Sequence, residues 1–351
     1  MINSLFKTEY DNILNVLSNN IDKLNNKATL ITGANGLIGS YTVKFLDYLN
    51  KTKNLKLKIY AMSRSKEKLE KCFGKNSDIN IVQQDLNNPL NIDFHADYII
   101  HAASNAHPRA YSTDPVGTMK TNLFGTMNLL EYAKDNNAKF LYISSGEIYG
   151  NNTDRAFTED DLGIVDTKLA RSCYPESKRA AETLCMAYNS QYGIDVNVAR
   201  LCYVFGSTIT DTNSRADAQF LRNAVEGKDI VMKSEGLQRR TYCYIADAVS
   251  AILTILLCGK SPEVYNVANP NSIVSVREYA QTLANVSGVK LRFELPDEIE
   301  AKGFSKPSDS ILDSTKLQKI GWQALYDIKQ ALTNTFKEKI TKEDKEYNEF
   351  H

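Results

Sequence analysis

The sequence has no excess of charge of either sign and no long apolar run. Its 351 residues include 42 Lys and Arg and 42 Asp and Glu, so the formal net charge is zero. A balanced charge with scattered lysines does not predict binding to nucleic acid or to an anionic membrane surface. The longest apolar run, residues 248–258, is too short to span a bilayer, and Lys7 and Asp11 interrupt the apolar residues near the N-terminus. We therefore expect a soluble, cytoplasmic protein without a nucleic-acid or membrane partner.

Cysteine is also scarce. The six cysteines are dispersed singly along the chain, with no Cys-x-x-Cys motif and no spacing typical of a metal site. This pattern predicts reduced thiols that lie partly in the core, and it predicts neither a disulfide framework nor a bound metal.

A glycine-rich segment follows the first predicted strand, residues 28–32. Its spacing is Gly-x-x-Gly-x-x-Gly, and a helical apolar pattern begins directly after it. Glycines let the backbone turn tightly and approach a pyrophosphate, which then lies at the helix N-terminus. Although such a turn also occurs for purely structural reasons, its position between strand and helix favours a dinucleotide site. The residues predicted to contact the cofactor here are Gly33, Asn35, Gly36, Leu37, Ile38 and Gly39.

The second predicted strand, residues 57–62, ends in Ser63 and Arg64. An acidic residue at this place would bind the ribose diol of NAD, and none is present. A hydroxyl and a guanidinium suit a 2′-phosphate, so we favour NADP(H), with NAD(H) as the other cofactor considered. The alternative is that Arg64 is simply an exposed charge.

Three further segments are predicted to line the cofactor site. Asp85 and Leu86 follow the third strand, where they would bracket the adenine, and a run of small residues follows the fourth strand, residues 98–100. Small side chains allow the backbone to approach the cofactor closely. His101 is interpreted as a structural histidine. The remaining predicted cofactor contacts are Ala102, Ala103, Ser104 and Asn122.

Tyr174 and Lys178 begin a predicted helix and lie on one face of it, since they are four residues apart. An ammonium near a phenol favours the phenolate, so Lys178 is expected to lower the pKa of Tyr174. Ser145, at the end of the fifth strand, would hydrogen-bond the same substrate oxygen. Such a trio can take a proton from an alcohol, or return one to a carbonyl, while a hydride moves at the carbon.

The order of elements predicts an α/β protein with a doubly wound parallel sheet, because strands alternate with helices from residue 28 to residue 201. Apolar residues at helical spacing predict one or two helices within residues 1–27. The polar segment 208–215 suits a substrate loop. A strand at 263–267 is expected to be the last one, followed by helices near 276–286 and 325–336.

Taken together, these motifs resemble the extended short-chain dehydrogenase/reductases, the NAD-dependent epimerase/dehydratase group that acts on nucleotide-linked sugars. The resemblance implies a Rossmann domain (28–206 and 237–268), a smaller mixed C-terminal substrate domain (207–236 and 269–345) and an N-terminal helical extension (1–27). It also implies a homodimer through a four-helix bundle of the helices near 119–135 and 174–191. By position, Tyr174 is the acid/base, Lys178 assists it and holds the nicotinamide ribose, and Arg240 and Arg215 bind the nucleotide end of the substrate.

Within this group the sequence is most similar to UDP-glucuronate decarboxylases and hexose 4,6-dehydratases. Arg171, three residues before Tyr174, matches the decarboxylase pattern, and Glu147 coincides with the glutamate that both enzymes carry. The predicted catalytic residues are therefore Tyr174, Lys178, Ser145 and Glu147. The predicted substrate contacts are Ser104, Ser145, Gly146, Glu147, Arg171, Tyr203, Arg215 and Arg240.

The departures from that pattern are equally informative. Gly146 stands where dehydratases carry Asp or Ser to assist the leaving hydroxyl. The arginine that decarboxylases carry before the segment at Asp313 is absent, and Lys306 is the nearest cation. Tyr203 replaces the asparagine that usually follows the sixth strand, so we expect the substrate's phosphate end to be bound differently.

The sequence therefore leaves three functional hypotheses. We favour NADPH-dependent keto reduction of a nucleotide-linked sugar, for example a CDP-linked sugar or polyol, in surface-polysaccharide synthesis. The alternative is a nucleotide-sugar decarboxylase, 4,6-dehydratase or 4-epimerase that recycles NAD internally, with Glu147 assisting. A cofactor-binding regulator or scaffold is the third hypothesis, which the joint presence of Ser145, Tyr174 and Lys178 disfavours.

Overall fold

The computed structural model describes residues 4–74, 78–150, 155–294 and 308–349. The strands of this part of the chain are β1 (Ala28–Thr32), β2 (Lys58–Ser63), β3 (Asn80–Gln83), β4 (Tyr98–His101), β5 (Lys139–Ser145), β6 (Val196–Leu201), β7 (Tyr203–Phe205), β8 (Ile230–Met232), β9 (Arg239–Tyr244), β10 (Glu263–Val267), β11 (Ile273–Ser275) and β12 (Leu291–Phe293). The helices are α1 (Ser4–Leu17), α2 (Leu37–Lys53), α3 (Lys66–Phe73), α4 (Pro108–Thr113), α5 (Pro115–Asn136), α6 (Cys173–Tyr192), α7 (Ala216–Val225), α8 (Ile245–Cys258), α9 (Val276–Ser287), α10 (Thr315–Gln318) and α11 (Ile328–Glu349). Short 3₁₀ helices cover Ile21–Leu24, Gly146–Tyr149 and Ala170–Ser172.

A seven-stranded parallel sheet forms the centre of the fold, in the order β3-β2-β1-β4-β5-β6-β10. All its pairings are parallel, and β1 is buried along its whole length, as expected for a sheet that is covered on both faces. Chain order reverses between β1 and β4, so the ends of these two strands form a topological switch point, where α/β proteins bind ligands. The predicted doubly wound α/β fold is confirmed.

Two apolar layers cover the sheet. On one face α2 and α8 contribute to the largest core cluster, and on the other face α5 and α6 pack against the strands and each other. Helix α8 is buried on almost every side, which explains its unbroken apolar sequence. Within the described residues, no helix has the combination of length and hydropathy that crossing a bilayer requires.

The N-terminal and C-terminal segments differ in part from their predictions. The predicted helices before residue 28 are present as α1 and the 3₁₀ helix Ile21–Leu24. The prediction that residues 263–267 form the last strand is wrong, because β11 and β12 follow. These two strands have three residues each and pair with β9 and β8 in small separate sheets, so no apolar alternation of useful length marks them. The helix expected near 325–336 begins at Ile328 and continues to Glu349.

Candidate active site

A cleft of about 430 Å³ lies at the carboxyl ends of the central strands. Its walls come from the glycine turn, the ends of β4 and β5, helix α4, the start of α6 and the segment around residues 210–217. The sequence-predicted site residues that line it are Gly33, Gly36, Leu37, Ile38, Gly39, Ala102, Ser104, Ser145, Gly146, Glu147, Arg171, Tyr174, Lys178, Tyr203, Arg215 and Arg240.

The glycine turn packs directly against the end of β4. Gly33 has a φ of +65°, and a Cβ there would lie 2.8 Å from the Ala102 carbonyl oxygen. A Cβ on Gly39 would lie 2.3 Å from the Gly33 carbonyl oxygen. Gly36 caps the N-terminus of α2, and Gly36, Leu37 and Ile38 line the cleft. This arrangement fits the pyrophosphate of a dinucleotide, because backbone N–H groups at a helix N-terminus favour an anion.

The three groups expected to act on the reacting hydroxyl converge in this cleft. The Ser145 side chain lies close enough to the Tyr174 hydroxyl to favour its phenolate form, which partly offsets the effect of burial on the Tyr174 pKa. The Lys178 ammonium lies 6.0 Å from the centre of the Tyr174 ring and donates a hydrogen bond to the backbone carbonyl of Ile143, at 2.7 Å. Ser145 also accepts a hydrogen bond from the backbone N–H of Glu147, at 3.2 Å, which fixes its side chain at the end of β5. A substrate oxygen placed beside Ser145 and Tyr174 would meet two hydroxyl groups.

The pKa of Tyr174 is raised in this structure, whereas the sequence predicts that Lys178 lowers it. Burial raises the pKa of Tyr174, and the nearby negative charge of Glu147 raises it further. Burial also lowers the pKa of Lys178, to about 7, since its hydrogen-bond partner is a neutral carbonyl. The ammonium is therefore a weaker source of positive charge than an exposed lysine, and desolvation of the phenol dominates.

A chain of hydrogen bonds connects β4 to the start of α6. Ser104 donates to the Asn122 carbonyl oxygen at 2.8 Å, and the Asn122 amide donates to Ser177 at 2.9 Å. Ser177 in turn donates to the backbone carbonyl of Cys173 at 2.5 Å. The prediction of Asn122 as a cofactor contact stays a prediction. Its side chain is fully buried and positions the turn that carries Tyr174, and it does not line the cleft.

Tyr111 and its helix α4 were not predicted, yet they form one wall of the site. The Tyr111 ring stacks on the Tyr174 ring with centroids 5.4 Å apart, and the Arg171 guanidinium lies 5.2 Å from the centre of the Tyr111 ring. Arg171 donates to the Glu147 carboxylate at 2.9 Å. The signal that could have identified α4 is His107-Pro108, because proline is favoured at the first position of a helix and His107 caps it.

Gly146 lies between Ser145 and Glu147, and the space beside it is occupied. A Cβ at Gly146 would lie 2.9 Å from a Leu312 methyl group and 3.4 Å from the Leu201 carbonyl oxygen. An apolar wall therefore stands where a related dehydratase would carry a proton donor.

Two further arginines, Arg215 and Arg240, line the cleft. Arg215 donates to the Val204 carbonyl at 2.7 Å and to the Asp217 carboxylate at 3.0 Å. The Arg240 guanidinium lies 4.4 Å from the centre of the Tyr203 ring. The Nε atoms of both arginines are buried and have no hydrogen-bond partner among the described residues. Unpartnered donors in a cleft suit an anionic ligand.

The remaining predicted cofactor residues do not line the cleft. Ser63 accepts a hydrogen bond from the Ser65 N–H, Arg64 is exposed, and Asp85 accepts one from the Asn87 N–H. Leu86 is buried and would contact a Cβ on Gly125. The other two residues outside the cleft lining are Asn35 and Ala103. Ser63 lies opposite Gln83 in the sheet, on a strand that neighbours the one leading into the glycine turn. The assignment of these residues to the adenosine end of the cofactor stays a prediction.

His101 is a structural residue in this fold. Its ring nitrogens hydrogen-bond to Thr32 at 2.8 Å and to Thr126 at 3.1 Å, and burial lowers its pKa to about 3. The ring therefore stays neutral and ties β1, β4 and α5 together. Lys306 lies outside the described residues.

Comparisons with known proteins agree with this geometry. Residues 29–268 match the model of the NAD dependent epimerase/dehydratase family. UDP-glucuronic acid decarboxylase 5 of Arabidopsis thaliana is 32% identical over 311 residues, which cover 88% of this chain and 87% of that protein. An epimerase from Methanothermobacter thermautotrophicus superposes with a TM-score of 0.81 at 17% identity, covering 95% of this chain and 97% of the other. UDP-glucose 4-epimerase of Thermotoga maritima gives a TM-score of 0.75 at 22% identity, over 90% and 99% of the two chains.

Proposed function

This chain belongs to the NAD-dependent epimerase/dehydratase family, and from that premise we propose that it decarboxylates a nucleotide-linked uronic acid by internal oxidation and reduction. The observation that carries this proposal is the set of groups at the reacting position. The Ser145 and Tyr174 side chains line the same cleft, and Leu312 fills the space beside Gly146. The relatives named UDP-glucuronic acid decarboxylases support this alternative better than the NADPH-dependent keto reduction that the sequence favours.

The residues around the reacting oxygen perform the proton transfers. Tyr174 takes the proton of the substrate hydroxyl and later returns it, while Ser145 hydrogen-bonds the same oxygen. Lys178 fixes the ribose side of the site from its anchor on the Ile143 carbonyl. When bound, an oxidised nicotinamide dinucleotide would supply the hydride acceptor and the later hydride donor. The residues that would hold it are those of the glycine turn with Ala102, Ser104 and Lys178.

Loss of CO₂ then needs no acid at position 146. Oxidation at the carbon β to the carboxylate gives a β-keto acid. Its carbon–carbon bond breaks, and the electron pair moves onto the ketone oxygen as CO₂ leaves. The hydroxyls of Ser145 and Tyr174 stabilise that developing negative charge. The α carbon then takes up a proton. We propose that Glu147 orients the group that donates this proton. Dehydration, in contrast, requires protonation of a leaving hydroxyl, and the Leu312 methyl group offers no proton.

The nucleotide end of the substrate is assigned to Arg215 and Arg240. Their unpartnered buried Nε atoms provide donors for phosphate oxygens, and the Tyr203 ring lies under Arg240 in place of the usual asparagine.

A second candidate function is net reduction with NADPH. It is favoured by Ser63 and Arg64 at the end of β2, because no carboxylate is there to bind a ribose diol and the Arg64 guanidinium is exposed. The two candidates differ in cofactor balance, since internal redox regenerates the dinucleotide in each turnover and net reduction consumes it.

We further propose a homodimer in the cytoplasm, formed through α5 and α6. These two helices pack on each other, and α5 exposes Val116, Met119, Phe124 and Met127 on its outer side. Exposed apolar side chains along one helix support a protein contact there.

The proposed function is tested by incubating the purified protein with UDP-glucuronate and either NAD⁺ or NADP⁺. We expect CO₂ and a UDP-pentose in equal amounts, without net formation of reduced nicotinamide. NADPH consumption that matches product formation, or an unchanged carboxylate on the product, contradicts the proposal.

The acid/base assignment is tested by Tyr174→Phe, which should lower kcat by about 10²- to 10⁴-fold and leave dinucleotide affinity unchanged. Tyr142→Phe is the matched control, because it removes the hydroxyl of another buried tyrosine that does not line the cleft. A Tyr174→Phe variant with the parent rate eliminates the assignment.

A further inference from the structure

We propose that Arg171 is the receptor for the substrate carboxylate, and that it exchanges this carboxylate with Glu147 in each turnover. The inference rests on the proposed function and deepens it, since it assigns a carboxylate subsite and explains selectivity for an acidic sugar.

The other cations that line the cleft each contact a protein group already, and the unpartnered Nε atoms of Arg215 and Arg240 are assigned above to the nucleotide end. Among the described lining residues, Arg215 is paired with Asp217 and Arg240 covers the Tyr203 ring. Lys178 is buried against the Ile143 carbonyl. Arg171 differs from these because its side chain is 55% exposed and makes, within the described part of the chain, one hydrogen bond, to Glu147. A guanidinium has five N–H donors, so most of them remain for a second carboxylate.

Arg171 also lies on the sugar side of the cleft. Its guanidinium stacks on Tyr111, and Tyr111 stacks on Tyr174, the proposed acid/base. Its partner Glu147 follows Ser145 by two residues. A carboxylate attached to the sugar that reacts at Tyr174 can therefore reach the surroundings of Arg171.

The Glu147–Arg171 pair makes the subsite exchangeable. Without a uronic acid, Glu147 neutralises the guanidinium. A substrate carboxylate can replace it with a two-bond contact, which is the geometry that arginine favours. When the carboxylate leaves as neutral CO₂, the guanidinium returns to Glu147, so the product binds less tightly than the substrate. The Tyr111 ring holds the guanidinium in place while its partner changes.

The test compares UDP-glucuronate with UDP-glucose, which differ only by a carboxylate in place of a hydroxymethyl group. Binding is measured by calorimetry on the dinucleotide-loaded protein, with Tyr174→Phe in every variant to prevent turnover. We expect Arg171→Met to raise the Kd for UDP-glucuronate by roughly 10- to 100-fold and to leave UDP-glucose unchanged. Arg171→Lys should give an intermediate loss, because it keeps the charge but not the two-bond geometry.

Two further variants sharpen the result. Arg155→Met is the matched control, because Arg155 forms an exposed pair with Asp161 outside the cleft lining, and it should change neither affinity. Glu147→Gln should strengthen UDP-glucuronate binding several-fold by removing the competing carboxylate, and this gain should vanish in the Arg171→Met background.

Equal losses for both ligands, no loss for UDP-glucuronate, or a parent protein without preference for the acidic sugar would overturn the inference. If CO₂ is released but Arg171→Met does not discriminate, the receptor assignment fails while the proposed function stands. If Arg171→Met discriminates but no CO₂ appears, the receptor stands and the decarboxylase proposal fails.

Discussion

Two Arg–Glu pairs in this molecule have the same construction and different surroundings. In the cleft, Arg171 pairs with Glu147 and lies 5.2 Å from the centre of the Tyr111 ring, which stacks on Tyr174. Behind the cleft, Arg200 pairs with Glu182 and lies 5.0 Å from the centre of the Tyr149 ring, which stacks on Phe157. Each pair therefore combines a carboxylate, a guanidinium and two aromatic rings.

The number of hydrogen bonds separates the two pairs. Arg200 donates to both carboxylate oxygens of Glu182, to the Tyr149 hydroxyl and to the Glu159 carbonyl, while Ser144 donates to Glu182. The side chain of Arg200 is 11% exposed. Arg171 has one such bond and faces the cleft. A buried pair in which every guanidinium nitrogen is hydrogen-bonded holds the fold together, whereas a pair with one bond and spare donors is suited to accept a ligand.

The largest expected effect is on the buried pair. Arg200→Met should lower the free energy of unfolding by about 3–5 kcal/mol, because it leaves the Glu182 carboxylate buried without its cation. Denaturant unfolding followed by circular dichroism measures the change. A loss below about 1 kcal/mol would mean that the two pairs do not differ in their structural role.

The next effect concerns Lys178, whose folded pKa of about 7 is below the unfolded value near 10.4. Between these values the unfolded chain binds a proton that the folded chain does not. The free energy of unfolding should therefore rise with pH in this window, by up to about 1.4 kcal/mol per pH unit. Lys178→Met should abolish this rise. The free energy of unfolding of the parent and of Lys178→Met is measured by denaturation at about pH 7 and pH 9. An equal change with pH in the two proteins would show that Lys178 is not buried in its uncharged form.

A smaller effect is expected from the loss of the Tyr111 ring, which contacts both Arg171 and Tyr174. Tyr111→Leu should lower kcat about tenfold, since the ring that orients Tyr174 and supports Arg171 is lost. Tyr111→Phe keeps the ring and should restore the rate, which separates stacking from any role of the hydroxyl. Steady-state kinetics on UDP-glucuronate gives the comparison, and equal rates for the Leu and Phe variants would contradict a positioning role.

The smallest effect is on the stability of the cleft pair itself. Arg171→Met should change the free energy of unfolding by less than about 1 kcal/mol, because exposed ion pairs contribute little. Both variants, Arg171→Met and Arg200→Met, are measured under the same conditions. If they lose a similar amount of free energy of unfolding, the distinction between an exchangeable and a permanent pair is removed.

Much of the site was predictable because its signals are local in the chain. Gly33, Gly36 and Gly39 lie within one turn, and the four-residue spacing of Tyr174 and Lys178 fixes a shared helix face. Ser145 and Glu147 follow directly from the end of β5. Strand and helix alternation likewise predicts the parallel sheet, since each element carries its own apolar pattern.

The parts that were missed depend on contacts between distant segments. Leu312 fills the space beside Gly146 from 166 positions along the chain, Tyr111 reaches Tyr174 from a six-residue helix, and Asn122 is buried by packing of α5 on α6. The pKa of Tyr174 was predicted to fall because a neighbouring charge is visible in the sequence, whereas burial is a property of the folded chain.

The central claim is that one hydride leaves the sugar and returns to it while CO₂ is lost. It is tested most directly with UDP-glucuronate that carries deuterium on the carbon β to the carboxylate, incubated with the protein and unlabelled dinucleotide. The account predicts that the UDP-pentose keeps this deuterium, and that a reaction in heavy water adds one deuterium at the α carbon. Loss of the label to the dinucleotide pool, or a product that retains its carboxylate, would contradict internal redox decarboxylation.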